Sequence, residues 1–98
     1  MKYTVSVIDQ IKKEYGLPCY VFDEEAFRKN YLNLEKTLCD AYSNYHIAYS
    51  YKTNYAPKMC SIVKDMGGYA EVVSDMEYEI AKTIGYANSM IVYNGPFK

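Results

Sequence analysis

The stretch HIAYSYKTN, His46 to Asn54, decides how the chain is read. Ile47 to Tyr51 has the length and the aromatic, small-residue composition of a buried strand, and it delivers a lysine, Lys52, directly at its end. Downstream the pattern repeats. Ala56 to Met66 is predicted as a helix, with Pro57 near its first turn and Met59, Ile62, Val63 and Met66 on one face. Gly67-Gly68 stops it, and Tyr69 to Val73 reads as a second strand. Ser74 or Asp75 caps a further helix to about Ile84, on which Met76, Ile80 and Ile84 are expected to face inward. Gly85 ends that helix, and Met90 to Tyr93 is a third strand. Residues 46–93 thus read β-α-β-α-β with short linkers, the signature of a parallel sheet with crossover helices.

Upstream, Val5 to Tyr15 has the spacing of a helix through Val5, Ile8 and Ile11, and Gly16 and Pro18 end it. Cys19-Tyr20-Val21-Phe22 is a short β-type run. Asp23 is placed to cap the next helix, with Glu24 and Glu25 in its positive first turn. That helix is expected to reach about Ala41, with Phe27, Tyr31, Leu34 and Leu38 as its apolar stripe. The organisation expected is residues 1–45 leading in, and residues 46–98 as the first three strands and two helices of a larger α/β unit.

Two architectures share this rhythm, an open doubly wound sheet and a closed (β/α)8 barrel. The first βα loop, Lys52-Thr53-Asn54-Tyr55, holds no glycine, so the dinucleotide fingerprint of the open sheet is absent and the barrel is favoured. A barrel needs roughly 250 residues, against 98 here. The expectation is therefore the N-terminal part of a TIM barrel, incomplete in this chain.

Composition narrows the function. The formal net charge is −1, which offers no electrostatic reason to expect nucleic acid or an anionic membrane as partner. No apolar run approaches the roughly 20 residues that span a bilayer, and the first residues lack a signal-peptide core. Three widely spaced cysteines, with no C-x-x-C pair, support neither a zinc site nor a disulfide framework. A reducing cytoplasm is the expected setting.

In α/β proteins the chemistry gathers at the C-terminal strand ends. Lys52, Glu71, Ser74 and Asn94 fall there. An amine at a barrel mouth among aromatic and apolar groups can do Schiff-base chemistry, because desolvation favours its neutral, nucleophilic form. Pyridoxal phosphate is the cofactor that exploits such an amine. Each residue also has a plainer reading: Lys52 as a solvated loop residue, Glu71 as the outward position of an edge strand, Asn54 and Ser74 as helix caps. His46 reads as a surface residue, and Cys60 as core.

Four blocks in order bear a resemblance to one family: LPCYVFD, YSYKTN, GGYAEVVSDMEYEIA and IVYNGPFK. From about Leu17 to Lys98 the chain resembles the N-terminal part of the fold-type III pyridoxal-phosphate-dependent decarboxylases. These are the diaminopimelate, ornithine and arginine decarboxylases, related in barrel fold to alanine racemase. The resemblance implies that Lys52 is the Schiff-base lysine. It implies that Glu71 stands at an acidic position, commonly Asp, near the cofactor ring, and that Tyr49 and Ser50 line the strand end beside it. Ser74 and Glu77 match positions around the second βα loop, and Asn94 matches the third-strand position facing the pocket.

The E-V-V-S block resembles the D-V-V-S of the diaminopimelate branch, so decarboxylation of meso-diaminopimelate to lysine is the activity implied for a full-length parent. Ornithine or arginine decarboxylation, a racemase on the same barrel and a non-catalytic truncated chain are the alternatives. The family's phosphate loops, its substrate-end residues and its C-terminal β-domain lie later in its chains, and its homodimers complete each site from the partner. A standalone chain of this length is therefore expected to be inactive.

Overall fold

A computed structural model describes residues 3–95. The chain divides into two compact units, Met1–Leu34 and Glu35–Lys98.

In the first unit, α1 (Val5–Tyr15) matches its expected bounds. Thr4 caps it by accepting the Val7 N–H at 3.3 Å, and Gly16, at φ +78°, closes it through an N–H bond to the Lys12 carbonyl. No residue of α1 is buried. Asp23 caps α2 (Glu24–Ala41), its Oδ1 accepting the Ala26 N–H at 3.0 Å. That bond is the leading reason why the Asp23 carboxyl lies below the usual aspartate range. Two expectations need correction here. Cys19 to Phe22 does not form a strand; Tyr20 is fully exposed and Val21 and Phe22 are partly so. A strand is stabilised by the ladder it shares with a neighbour, and among the described residues of this unit there is none. On α2 the apolar stripe is only partly covered: Tyr31 is buried, whereas Leu34 is exposed.

The second unit carries the expected β-α-β-α-β run. Its elements are β1 (Ala48–Ser50), α3 (Pro57–Asp65), β2 (Tyr69–Val72), α4 (Asp75–Ile84), a 3-10 turn (Asn88–Met90) and β3 (Ile91–Tyr93). The strands are parallel in the order β1-β2-β3. Both helices end in the same way. Gly67, at φ +86°, lets the Gly68 N–H reach the Val63 carbonyl and its own N–H reach Lys64. Gly85, at φ +112°, does the same for the Tyr86 and Gly85 N–H groups, on Ala81 and Lys82. This six-to-one and five-to-two pairing satisfies the last carbonyls of the helix and turns the chain toward the next strand.

One core joins the elements. Tyr51, Cys60, Ala70, Val72, Ala81 and Tyr86 are buried together, and Tyr49, Ile80, Ile84, Ile91 and Tyr93 pack against them. This set takes residues from β1, β2 and β3 and from both helices, so α3 and α4 cover the same face of the sheet. Sequential strand order with the helices on one side is the winding of a (β/α)8 barrel, whereas a doubly wound sheet places helices on both faces. The sheet is therefore part of the barrel type expected.

The inward face of α4 differs from expectation. Glu77 and Ala81 are buried, Ile80 and Ile84 are half-buried, and Met76 is 53% exposed. Helical periodicity identifies an apolar stripe, but the helix sits rotated so that its capping glutamate, rather than Met76, points down.

Candidate functional site at the C-terminal strand ends

Strand register sorts the candidate residues by face. Ala48 pairs with Tyr69, Ser50 with Glu71, and Glu71 with Val92. Side chains alternate along a strand, and Ala70 and Val72 are fully buried under the helices. Ser50, Glu71 and Val92 therefore form one row on the opposite, open face. Val92 is exposed there, and Ser50 and Glu71 are half-buried. The Ser50 hydroxyl donates to Glu71 Oε1 at 3.4 Å. The two strands bring this pair together across 21 residues of sequence.

Lys52 follows Ser50 by two positions, in the turn that the Thr53 N–H closes on the Ser50 carbonyl at 3.2 Å. Its side chain is exposed, and among the described residues no group pairs with its ammonium. A shallow cavity of about 370 Å³ is lined by Lys52, Thr53, Asn54, Tyr55, Ala56 and Pro57. Asn54 shapes this loop: its Oδ1 accepts the Ala56 N–H at 3.0 Å, a local turn that starts α3.

Tyr49 is placed elsewhere. It lies on the helix-facing side, with its ring 6.0 Å from that of Tyr51, and its hydroxyl donates to the Asn54 carbonyl at 2.8 Å. Burial raises the pKa of its phenol. The structure does not bring Tyr49 together with Ser50 and Glu71; it braces the Lys52 loop from behind.

Ser74 is the N-cap of α4. Its Oγ accepts the Glu77 N–H at 3.2 Å and donates to Glu77 Oε2 at 3.2 Å. Glu77 Oε1 accepts the Val73 N–H at 3.3 Å. This reciprocal pairing varies the capping box, in which the glutamate would accept the N–H of Ser74 rather than that of Val73. It occupies the Ser74 proton, leaving that hydroxyl one acceptor lone pair. Asn94 is exposed just beyond β3, and its N–H donates to the Val72 carbonyl at 2.8 Å. His46 is exposed and stacks on Tyr69, with ring centroids 4.4 Å apart.

Two features of the site went unread in the sequence. Gly95 approaches the Val73 carbonyl so closely that a Cβ would collide with it. The Tyr93 hydroxyl donates to Asp75 Oδ1 at 2.8 Å, and this bond is the main reason why its pKa is raised. Neither left a sequence signal. The Ser74-x-x-Glu77 spacing, by contrast, is a legible mark of a capped helix start.

No protein-family model matches the sequence. Among curated proteins, the diaminopimelate decarboxylase of Methanothermobacter thermautotrophicus is 31% identical over 86 residues, which is 88% of this chain and 20% of that protein. The sequence of this chain is thus similar to part of a diaminopimelate decarboxylase. The enzyme of the same name from Archaeoglobus fulgidus is 30% identical over 93% of this chain, and that of Aquifex aeolicus 27% over 90%; the chain covers 21% and 20% of them. The chain thus spans about one fifth of the length of these relatives. A lysine decarboxylase structure from Selenomonas ruminantium superposes on all of the chain with a TM-score of 0.84, at 21% identity, and the chain covers 25% of it. That likeness carries the fold. No described helix is long and apolar enough to cross a membrane.

Proposed function

We propose that these residues belong to a pyridoxal-phosphate-dependent amino-acid decarboxylase, with meso-diaminopimelate as substrate and lysine as product. The activity belongs to a polypeptide that also supplies the rest of the barrel. The observation that carries the reading is the placement of Lys52: a primary amine two residues beyond a strand whose last residue, Ser50, meets the carboxylate of Glu71 on the open face. Relatives named diaminopimelate decarboxylase support the choice of substrate.

The donor set fits the cofactor at one end. Lys52 would hold its aldehyde carbon, and Glu71 and Asn94 would face its ring. When bound, pyridoxal phosphate supplies an electron sink for the carbanion left by departing CO₂. Glu71 offers acceptor oxygens at the mouth, one of them already oriented by the Ser50 hydroxyl. Ser50 is small enough to leave the strand end open. Tyr49 and Asn54 fix the turn from which Lys52 projects. The groups that hold the phosphate and read the substrate's far end come from outside these residues, and so does the partner copy of the homodimer that this reading includes.

The test is chemical. The protein that carries this segment is incubated with pyridoxal phosphate, reduced with borohydride and digested. The expected result is a pyridoxyl adduct on Lys52, lost in Lys52→Ala, together with CO₂ release from meso-diaminopimelate that Lys52→Ala abolishes. An adduct on another lysine, with activity retained in Lys52→Ala, would sink the assignment.

A further inference from the structure

Glu77 is the one buried polar or charged residue among those described, at 6% exposure. A buried carboxylate is costly unless its oxygens are bonded, so what it bonds is informative. Oε2 accepts from its own cap, Ser74. Oε1 instead accepts the N–H of Val73, the residue after β2. The Val73 nitrogen and the Val72 carbonyl are the two ends of one peptide plane. The Val72 carbonyl accepts the Asn94 N–H at 2.8 Å. A single peptide group is thus held by Glu77 on one side and by the backbone of Asn94 on the other. Peptide groups bonded at both ends polarise, and each bond strengthens the other.

The surrounding contacts close the same corner. The Tyr93 hydroxyl, from the residue before Asn94, donates to Asp75 in the first turn of α4. Gly95, after Asn94, lies against the Val73 carbonyl where no side chain would fit. On the other side of Val72, Glu71 passes its carbonyl to the Tyr51 N–H at 3.0 Å, one residue before Lys52. The ends of all three strands therefore converge on residues 71–73, and Glu77 is the side chain that fixes them.

We propose that Glu77 is a positioning residue: through the Val72–Val73 peptide it fixes the backbone of Asn94 beside Glu71 at the mouth of the sheet. What Asn94 is positioned toward rests on the functional reading above; that Glu77 fixes it does not. The role needs acceptors and not a charge. Glutamine can keep an acceptor on the Val73 N–H and turn its NH₂ to Ser74 Oγ, which has a free lone pair. Methionine fills similar space with no acceptor of comparable strength.

The test compares Glu77→Met with Glu77→Gln in the protein that carries this segment, without cofactor, by native-state hydrogen exchange. In Glu77→Met, the Val73 and Asn94 amides should exchange at least about tenfold faster, while the Tyr69 and Gly68 amides keep their wild-type rates. Glu77→Gln should restore Asn94 to within about threefold of wild type. With pyridoxal phosphate added, the visible circular dichroism of the bound cofactor should weaken in Glu77→Met and recover in Glu77→Gln. Unchanged Asn94 exchange in Glu77→Met, or a uniform rise across α3, β2 and α4, overturns the proposal. Should Glu77→Met not fold, Glu77→Asp, which draws the acceptor back by one methylene, carries the same expectation. Failure of both to fold would make Glu77 a residue of stability alone and would also overturn it. If the wild type takes up no pyridoxal phosphate, the functional reading fails while the exchange comparison still decides this one.

Discussion

Tyr51 and Tyr86 share one core, are both essentially inaccessible, and differ in the fate of a single atom. The Tyr86 hydroxyl donates to the Gly68 carbonyl at 2.8 Å, at the buried junction of α3 and β2. The Tyr51 hydroxyl is buried and, among the described residues, has no hydrogen-bond partner of good geometry, only the weakly polar Cys60 thiol beside it. The same substitution should therefore act in opposite directions at the two sites. Tyr86→Phe removes a good bond and strands a buried carbonyl, a loss of about 1–3 kcal/mol. Tyr51→Phe removes a hydroxyl whose desolvation is offset at most by the weak contact with the Cys60 thiol, a gain of about 1–2 kcal/mol. The expected difference between the variants is about 2–5 kcal/mol, or roughly 30- to 5000-fold in an equilibrium constant at 1.36 kcal/mol per decade. Native-state hydrogen exchange reads this locally. The amides to follow are Tyr69, bonded to the Ile47 carbonyl at 2.7 Å, and Gly68, bonded to the Val63 carbonyl at 2.9 Å. Both should exchange more slowly in Tyr51→Phe and faster in Tyr86→Phe. Equal destabilisation by the two substitutions would refute the reasoning, since it would mean that Tyr51 has a partner as good as that of Tyr86.

The same hydroxyl predicts an alkaline dependence. Burial, with the neighbouring Cys60 and Tyr86 adding to it, raises the Tyr51 pKa far above its ordinary value. A folded value above the unfolded one means that stability is full below about pH 10, and falls as pH rises beyond it, because only the unfolded chain releases the proton. Urea midpoints measured from neutral to strongly alkaline pH should fall less steeply in Tyr51→Phe than in wild type; parallel curves would count against it. Gly95→Ala should cost about 1–3 kcal/mol through the Val73 carbonyl that its Cβ would meet, and exchange at Asn94 should report it; a neutral substitution would show that the corner has room to spare.

Much of the second unit was legible because its signals are local. Glycines at 67 and 85 stop their helices, since the left-handed turn there strains any residue with a side chain. Ser74 and Asp23 cap theirs with side-chain oxygens only a few atoms from the N–H groups they accept. Short aromatic and β-branched runs between such stops became strands. The same logic failed at Cys19 to Phe22. A strand is a property of two segments, and the run has no neighbour to pair with in its unit. It failed again for Met76, because periodicity gives a helix its stripe but not its rotation against the sheet.

In the second unit the sequence by itself determined the order of elements and the position of an amine at a strand end, both from signals within a few residues, and the β-α-β rhythm implied the parallel winding. Tertiary structure alone decided which candidates meet. Ser50 and Glu71 share a face only because the register of β1 on β2 sets them opposite one another. Tyr49, next to Ser50 in sequence, is turned into the core by the alternation of the strand. The bond from Glu77 to one end of a peptide that Asn94 holds at the other joins residues of α4, β2 and the β3 end. No spacing encodes that, because it depends on where two crossovers set their strands down.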